Sequence, residues 1–206
     1  MKRTLCVVAL LGIQQVSVGY DSFDGIYFGG GVGGGLSKAE ASVQSGSEKV
    51  SKSNNCFFCN LLFGKGKASN ASKVFCAGEI LADFSKTKHI GTYLGGKEVR
   101  LRNNGIVPYL GFLFGRVEPT SKTLTFVKFG ITYTKLFLEN EQENLTIARL
   151  APTLGCGVQK NVCLGWSSRF EVCYRLKTKR SNSHYRLCND NGFNARVTII
   201  HNIIGI

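Results

Sequence analysis

The chain has 206 residues, a formal net charge of +13, and 25 glycines against three prolines. Beyond residue 19 no apolar run approaches the ~20 residues of a membrane-spanning helix, and no long amphipathic helical pattern occurs. Helical membrane proteins and helical bundles are therefore excluded, and the length suits a single domain.

The N-terminus, MKRTLCVVALLGIQQVSVGY, sets Lys2 and Arg3 ahead of an apolar run over 5–13, with the small residues Ser17 and Gly19 at its exit. This is the layout of a secretory signal peptide over 1–19. Cleavage after Gly19 leaves 20–206 as one domain of 187 residues carrying +11. Cys6 lies inside the apolar run and not after it, which argues against a lipoprotein. Export also separates the basic chain from cytoplasmic nucleic acid, so its charge calls for another partner.

The stretch GIYFGGGVGGGL, 25–36, contains a formal G-x-G-x-x-G at Gly29, Gly31 and Gly34. A dinucleotide site would need a helix to follow and an acidic residue about 20 positions on. No helix follows. Ile26, Phe28, Val32 and Leu36 share one side of an extended chain, and Tyr27 and glycines share the other, as in a strand with one apolar and one nearly bare face. Glycines on such a strand let it curve strongly and leave room for bulky side chains opposite.

A polar run over 37–73 reads as a long loop. It holds Lys38, Lys49, Lys52, Lys65, Lys67 and Lys73 against Glu40 and Glu48. After it, alternating segments recur at 74–84, 90–102, 106–117, 125–137, 145–159, 162–176 and 195–206. In 90–102 the alternation slips at Lys97, which predicts a β-bulge there. The clearest alternation is VCLGWSSRFEVCYRL over 162–176: Val162, Leu164, Trp166, Phe170, Val172, Tyr174 and Leu176 on one face, Arg169, Glu171 and Arg175 among those on the other. Segments of this length exceed the typical soluble strand of about 5 or 6 residues and match the 9 to 11 of a tilted membrane strand. With 25–36 the count is eight. The fold class is all-β, an eight-stranded antiparallel up-and-down transmembrane β-barrel. Short turns at 85–89, 118–122 and 160–161 alternate with outer loops at 37–73, 103–105, 139–144 and 178–194, an asymmetry expected of outer-membrane barrels.

The entry segment YDSFDGIYFGGGVGGG and the run APTLGCGVQKNVCLGWSSRFEVCYRL over 151–176 resemble the OmpA-like family of small outer-membrane β-barrels, which includes surface antigens of alpha-proteobacteria. In the second run Glu171 and Tyr174 stand where the family has its usual Glu-Tyr-Arg-Tyr. The resemblance implies an outer-membrane location in a Gram-negative bacterium, with membrane lipid, lipopolysaccharide and the barrel-assembly machinery as partners. Two departures stand out. The family's terminal aromatic, read by that machinery, is replaced by Ile206, and no peptidoglycan-binding segment follows the last strand.

Parity sends Glu79, Asp83, Glu98, Arg100, Lys128, Arg149, Arg169, Glu171 and Arg175 inward, where opposite charges should pair because an unpaired buried charge is costly. A barrel of eight strands has an interior that side chains can fill. The expectation is a salt-bridged core; the rival is a narrow channel that prefers anions. Outside, Lys49, Lys52, Lys65 and Lys67, together with Lys179, Arg180 and Arg186, are candidates for contact with lipopolysaccharide phosphates and host-surface polyanions such as sulfated glycans.

Seven cysteines follow the signal peptide. In an oxidising compartment Cys56, Cys59 and Cys188 are the disulfide candidates. A metal site drawn from Cys56, Cys59, Cys188 and His184 lacks a second C-x-x-C, so no metal and no cofactor is assigned. A lipid-modifying enzyme is the second rival, yet His201 is followed by Asn202 and Ile203 and not by the His-x-Ser of lipid A deacylases. No catalytic residue is assigned. The predicted role is structural and surface-exposed, in adhesion or as an antigen.

Overall fold

The computed structural model describes residues 23–43, 49–69, 72–85, 89–94, 97–103, 105–139, 144–163, 165–181, 185–189 and 192–203. The expected signal peptide over 1–19 and the chain end at Ile206 lie outside the described residues. The strands are β1 (Gly25–Val43), β2 (Lys49–Ala68), β3 (Val74–Ser85), β4 (His89–Leu94), β5 (Lys97–Asn103), β6 (Ile106–Glu118), β7 (Thr123–Glu139), β8 (Asn144–Cys163), β9 (Trp166–Arg175), β10 (Thr178–Ser181), β11 (Tyr185–Asn189) and β12 (Gly192–Ile203). Eight of them close a wall in the order β1, β2, β3, β6, β7, β8, β9, β12 and back to β1, every pair antiparallel. The predicted closed eight-stranded barrel is the observed fold.

Period-two alternation decides which way each side chain points. Along β3, Phe75, Ala77, Glu79, Leu81 and Asp83 are buried, while Val74, Ile80 and Phe84 are exposed. Every wall strand exposes a large apolar side chain: Phe28, Leu61, Ile80, Leu110, Phe129, Leu154, Phe170 and Val197 belong to an apolar belt around the barrel. A soluble monomer rarely exposes a contiguous apolar patch beyond a few hundred Å². Against hydrocarbon the same belt is favourable.

The number of strands agrees with the sequence reading, but two elements exchange roles. Residues 49–68, expected in a loop, form the 20-residue β2. Its segment CFFCNLLF is apolar on both faces, and GKGKA alternates in size, not hydropathy. The inward glycines receive aromatic rings from neighbouring strands: a Cβ on Gly64 would collide with the ring of Tyr27, and one on Gly66 with that of Phe75. Conversely, 90–102 is not one bulged strand. β4 and β5 pair as a hairpin from His89↔Arg102 to Leu94↔Lys97, bracketing Gly95 and Gly96, a two-glycine hairpin signal. The expected turn at 160–161 also moves, because β8 continues to Cys163 and the reversal comes at Gly165, which takes a φ of +73°.

These exchanges reset which connections share an end of the barrel. One end, the turn end, carries the short connections after Ala68, Glu118 and Cys163. Among the described residues each contains one of positive φ: Lys73 (56°), Lys122 (51°) and Gly165 (73°). The carbonyl of each accepts a hydrogen bond from the strand beyond, from the N–H of Val117, Asn161 and Asn202 at 2.8, 3.0 and 2.7 Å. The three turns are thus versions of one device that ties each hairpin to its neighbour.

At the opposite, loop end, the predicted turn 85–89 and loop 103–105 belong to one connection that carries β4 and β5. There β5 pairs with β7, from Arg100↔Glu139 to Asn103↔Leu136. In the same way β11, paired with β10, adds to β1 from Ala39↔Asn189 to Val43↔Tyr185. The wall therefore rises above the belt as two four-stranded blades, β10-β11-β1-β2 and β4-β5-β7-β8. They meet where β4 approaches β1 and β2, and where β10 approaches β8.

The seam that closes the barrel explains the glycine-rich segment. A Cβ on Gly31 would overlap the Val197 carbonyl of β12, and one on Gly33 would strike both the Ala195 carbonyl and the Phe58 ring. A bare inward face on β1 lets β12 approach and leaves space for Phe58.

Candidate functional site

The lumen is stratified. At its turn-end half Phe75, Leu113, Val117, Leu124 and Phe126 are 0 to 2% exposed and fill the cross-section with hydrocarbon. Above this plug lies an ion cluster assembled from six of the wall strands.

Glu171 on β9 is its centre. Its Oε1 and Oε2 accept hydrogen bonds from Lys128 Nζ at 2.8 and 3.0 Å, and Arg196 Nε lies 2.8 Å from Oε1 as an ion pair without hydrogen-bond alignment. Arg196 Nη1 also donates to Asp83 Oδ1 at 3.0 Å. Glu79 Oε1 takes a second set of donors, Tyr27 OH at 2.7 Å and Arg169 Nη1 at 2.5 Å, while its Oε2 is 3.8 Å from Lys128 Nζ. Arg169 completes its fork on Gln159 Oε1, with Nε and Nη2 at 2.9 and 2.7 Å.

Three carboxylates thus balance three cations, all buried. Aromatic faces supply the remaining solvation: Lys128 sits 4.6 Å from the Tyr109 centroid, Arg169 5.0 Å from Phe126 and 5.6 Å from Tyr27, and Arg196 5.6 Å from Phe58. The compensation is what makes the charges tolerable. Ions in a confined, low-dielectric space repay their desolvation only when each has close partners and further hydrogen bonds. Threonine and amide side chains extend the layer, with Thr132 and Thr153 hydroxyls 2.6 Å apart and Thr198 Oγ1 donating to Asn60 Oδ1 at 3.2 Å.

Of the residues expected inside, the structure brings together Glu79, Asp83, Lys128, Arg169 and Glu171. Arg175 is half-buried towards the loop end, its guanidinium against Gly192. Arg149 has the inward parity of β8 but stands above the plug and is exposed, because β8 runs well past the belt. Glu98 and Arg100 are on β5, outside the eight-stranded wall; Arg100 is exposed, and the Glu98 side chain lies outside the described residues. Sequence reasoning omitted Arg196 and gave Tyr27 no role. Arg196, Thr198 and Asn202 do share a parity on the last strand, a signal obscured by the buried Ile200 among them.

The lysines expected in one outer loop divide between the two ends of β2. Lys49 pairs with Ser42 and Lys52 with Ala39 at the loop end, their side chains outside the described residues. Lys65 and Lys67 pair with Gly78 and Cys76 near the turn end and are exposed on the belt side. Because β2 is a strand, these two cannot belong to an outer loop.

The C-x-x-C spacing likewise places its cysteines on opposite faces. Cys59 is exposed with a free thiol, whereas the Cys56 thiol donates to the Gly35 carbonyl, 3.7 Å away. Cys188 on β11 is level with Glu40, not with Gly35, and its side chain lies outside the described residues. Cys163 is exposed at the end of β8, and Cys173 is buried beside Glu171. His201 packs between Trp166 and Phe28, with centroids 4.5 and 5.4 Å away, on the outer face near the turn end.

No protein-family model matches the chain, and no curated protein matches it in sequence. Among solved structures, the outer membrane protein OprG of Pseudomonas aeruginosa is similar with a TM-score of 0.60 at 12% identity, over 87% of this chain and 97% of that one. Ail, the attachment invasion locus protein of Yersinia pestis, gives 0.47 at 9% identity, over 86% and 99%. Neisserial surface protein A gives 0.46 at 10%, over 87% and 100%. The likeness to OprG is one of fold, that of a small outer-membrane β-barrel. The finer resemblance to the OmpA-like family rests on the sequence segments alone.

Proposed function

We propose that the protein is a Gram-negative outer-membrane barrel whose working surface is its loop end, and that the blade β10-β11-β1-β2 contacts polyanions. The filled lumen speaks against conduction as the main role, since hydrocarbon and paired ions occupy the space a channel would need. The observation that carries the reading is the register of that blade. Lys49, Ser42 and Arg186 stand in one row across three strands, Lys179 stands two residues away in the row of Glu40, and Lys38 follows two residues further along. Rows two residues apart lie on one side of a sheet. One side of the blade thus gathers four basic positions around the single carboxylate Glu40, which Lys38 and Lys177 already engage at 3.0 and 3.4 Å. Lipopolysaccharide phosphates and sulfated glycans carry the complementary charge.

The test compares binding of lipopolysaccharide and of heparin to the folded barrel and to a variant with Lys49, Arg186 and Lys179 changed to Gln. A loss that is strongest at low salt supports the reading; the variant Lys160→Gln, altered on β8 near the other end, should bind as the unchanged protein does. Equal binding by all three proteins would contradict it.

A further inference from the structure

The outer wall is not uniformly convex. A groove of about 670 Å³ crosses β2, β3, β6, β7 and β8, within the ~300–1,000 Å³ range of small-molecule sites. Its bed is a single register row, Lys65, Gly78, Phe112, Phe129 and Leu154, flanked by a parallel row from Phe63 to Pro152. The row climbs through the membrane: Lys65 is three residues from the turn-end limit of β2 at Ala68, and Leu154 is nine from that of β8 at Cys163. One end of the groove therefore lies near the turn-end headgroups and the other deep in hydrocarbon.

Gly78 is what opens it. A Cβ there would meet no atom within 4 Å, so packing does not require a glycine, and its absent side chain leaves a gap in an otherwise bulky row. Lys65, the charged side chain on the outward face of this lining, stands directly beside the gap. It forms no ion pair among the described residues. Lys67 and Arg116 lie close by on the same face, towards the turn end, with Glu118 as the nearby acid.

We propose that this groove is a binding site for one phospholipid, its acyl chain lying along the row over Gly78 and its phosphate held by Lys65. Charge and depth select this occupant: a cation at headgroup level continuing into an apolar channel directed at the bilayer centre fits an anionic amphiphile. A lysine beside the groove can lay its methylene stem along the apolar wall and carry its ammonium to the interface. The proposal needs only a lipid-facing wall and is independent of the loop-end function.

The protein purified from membranes in mild detergent is examined by native mass spectrometry, and then titrated with phosphatidylglycerol or phosphatidylcholine. One retained phospholipid is expected, with a preference for phosphatidylglycerol. Gly78→Trp fills the groove without a backbone clash and should abolish retention; Gly78→Leu is the smaller alternative if the tryptophan variant fails to fold. Lys65→Gln should keep the lipid but lose about fivefold in headgroup preference, the worth of one lysine near a charged surface. Lys160→Gln, on β8 near the turn end, should change nothing. Heat-dependent gel migration verifies folding of each variant. The proposal is overturned if no lipid is retained, if the folded groove-filling variants retain it unchanged, or if the groove proves to hold a second copy of the chain, seen as a dimer that Gly78→Leu dissociates.

Discussion

The basic residues inside the wall and those outside it obey different physics although their chemistry is the same. Lys128, Arg169 and Arg196 are fixed by two or more partners each, in a space where an unpaired charge would be intolerable. Lys65, Lys67 and Lys160 project from the outer face and can reach water or headgroups by bending their stems. A side chain's parity on its strand therefore decides whether its charge is part of the core or part of the surface. Lys122 is a third case, where the backbone and not the charge is what the position constrains.

Removing the centre of the inner cluster is the strongest way to test this contrast. Glu171→Gln leaves the three buried cations Lys128, Arg169 and Arg196 facing only Glu79 and Asp83, and should cost about 3–5 kcal/mol, measured by urea unfolding in lipid vesicles with the gel-shift assay. The paired change Glu79→Leu with Arg169→Leu should cost less than the sum of the single changes by roughly 0.5–3 kcal/mol, as expected for coupled neighbours. Additive losses would mean that the cluster is not a unit. At the turn end, Lys122→Gly should stabilise by about 1 kcal/mol by relieving a left-handed conformation, whereas Lys122→Gln should leave stability where it is. Lys67→Gln and Lys160→Gln should each stay within about 0.5 kcal/mol, the usual range for surface changes.

The parts of the fold legible in the sequence are those where alternation is in hydropathy. On β9, Arg169, Glu171 and Cys173 alternate with Phe170, Val172 and Tyr174, and burial follows the alternation. β2 was illegible because its inward positions are chosen for size. Gly64 and Gly66 accept the Tyr27 and Phe75 rings, so the complement of the pattern sits on other strands and cannot be seen locally. Parity alone misplaces Glu98 and Arg100 for a related reason. An alternating segment satisfies the strand pattern equally well as one long strand or as a hairpin, and the Gly95-Gly96 pair decides between them. Within the lumen cluster, parity selects Glu79, Asp83, Lys128, Arg169 and Glu171, while Arg196 is hidden by the buried Ile200 on its strand and Tyr27 by the glycines that share its face.

The most direct test of the central claim, that ion pairs and a hydrocarbon plug fill the lumen, is the conductance of the folded protein in planar bilayers, with insertion verified by heat-dependent migration. No resolved ion steps should occur at either polarity. A steady anion-selective current that falls on changing Arg169→Ala would contradict the account and restore the lumen as a pathway.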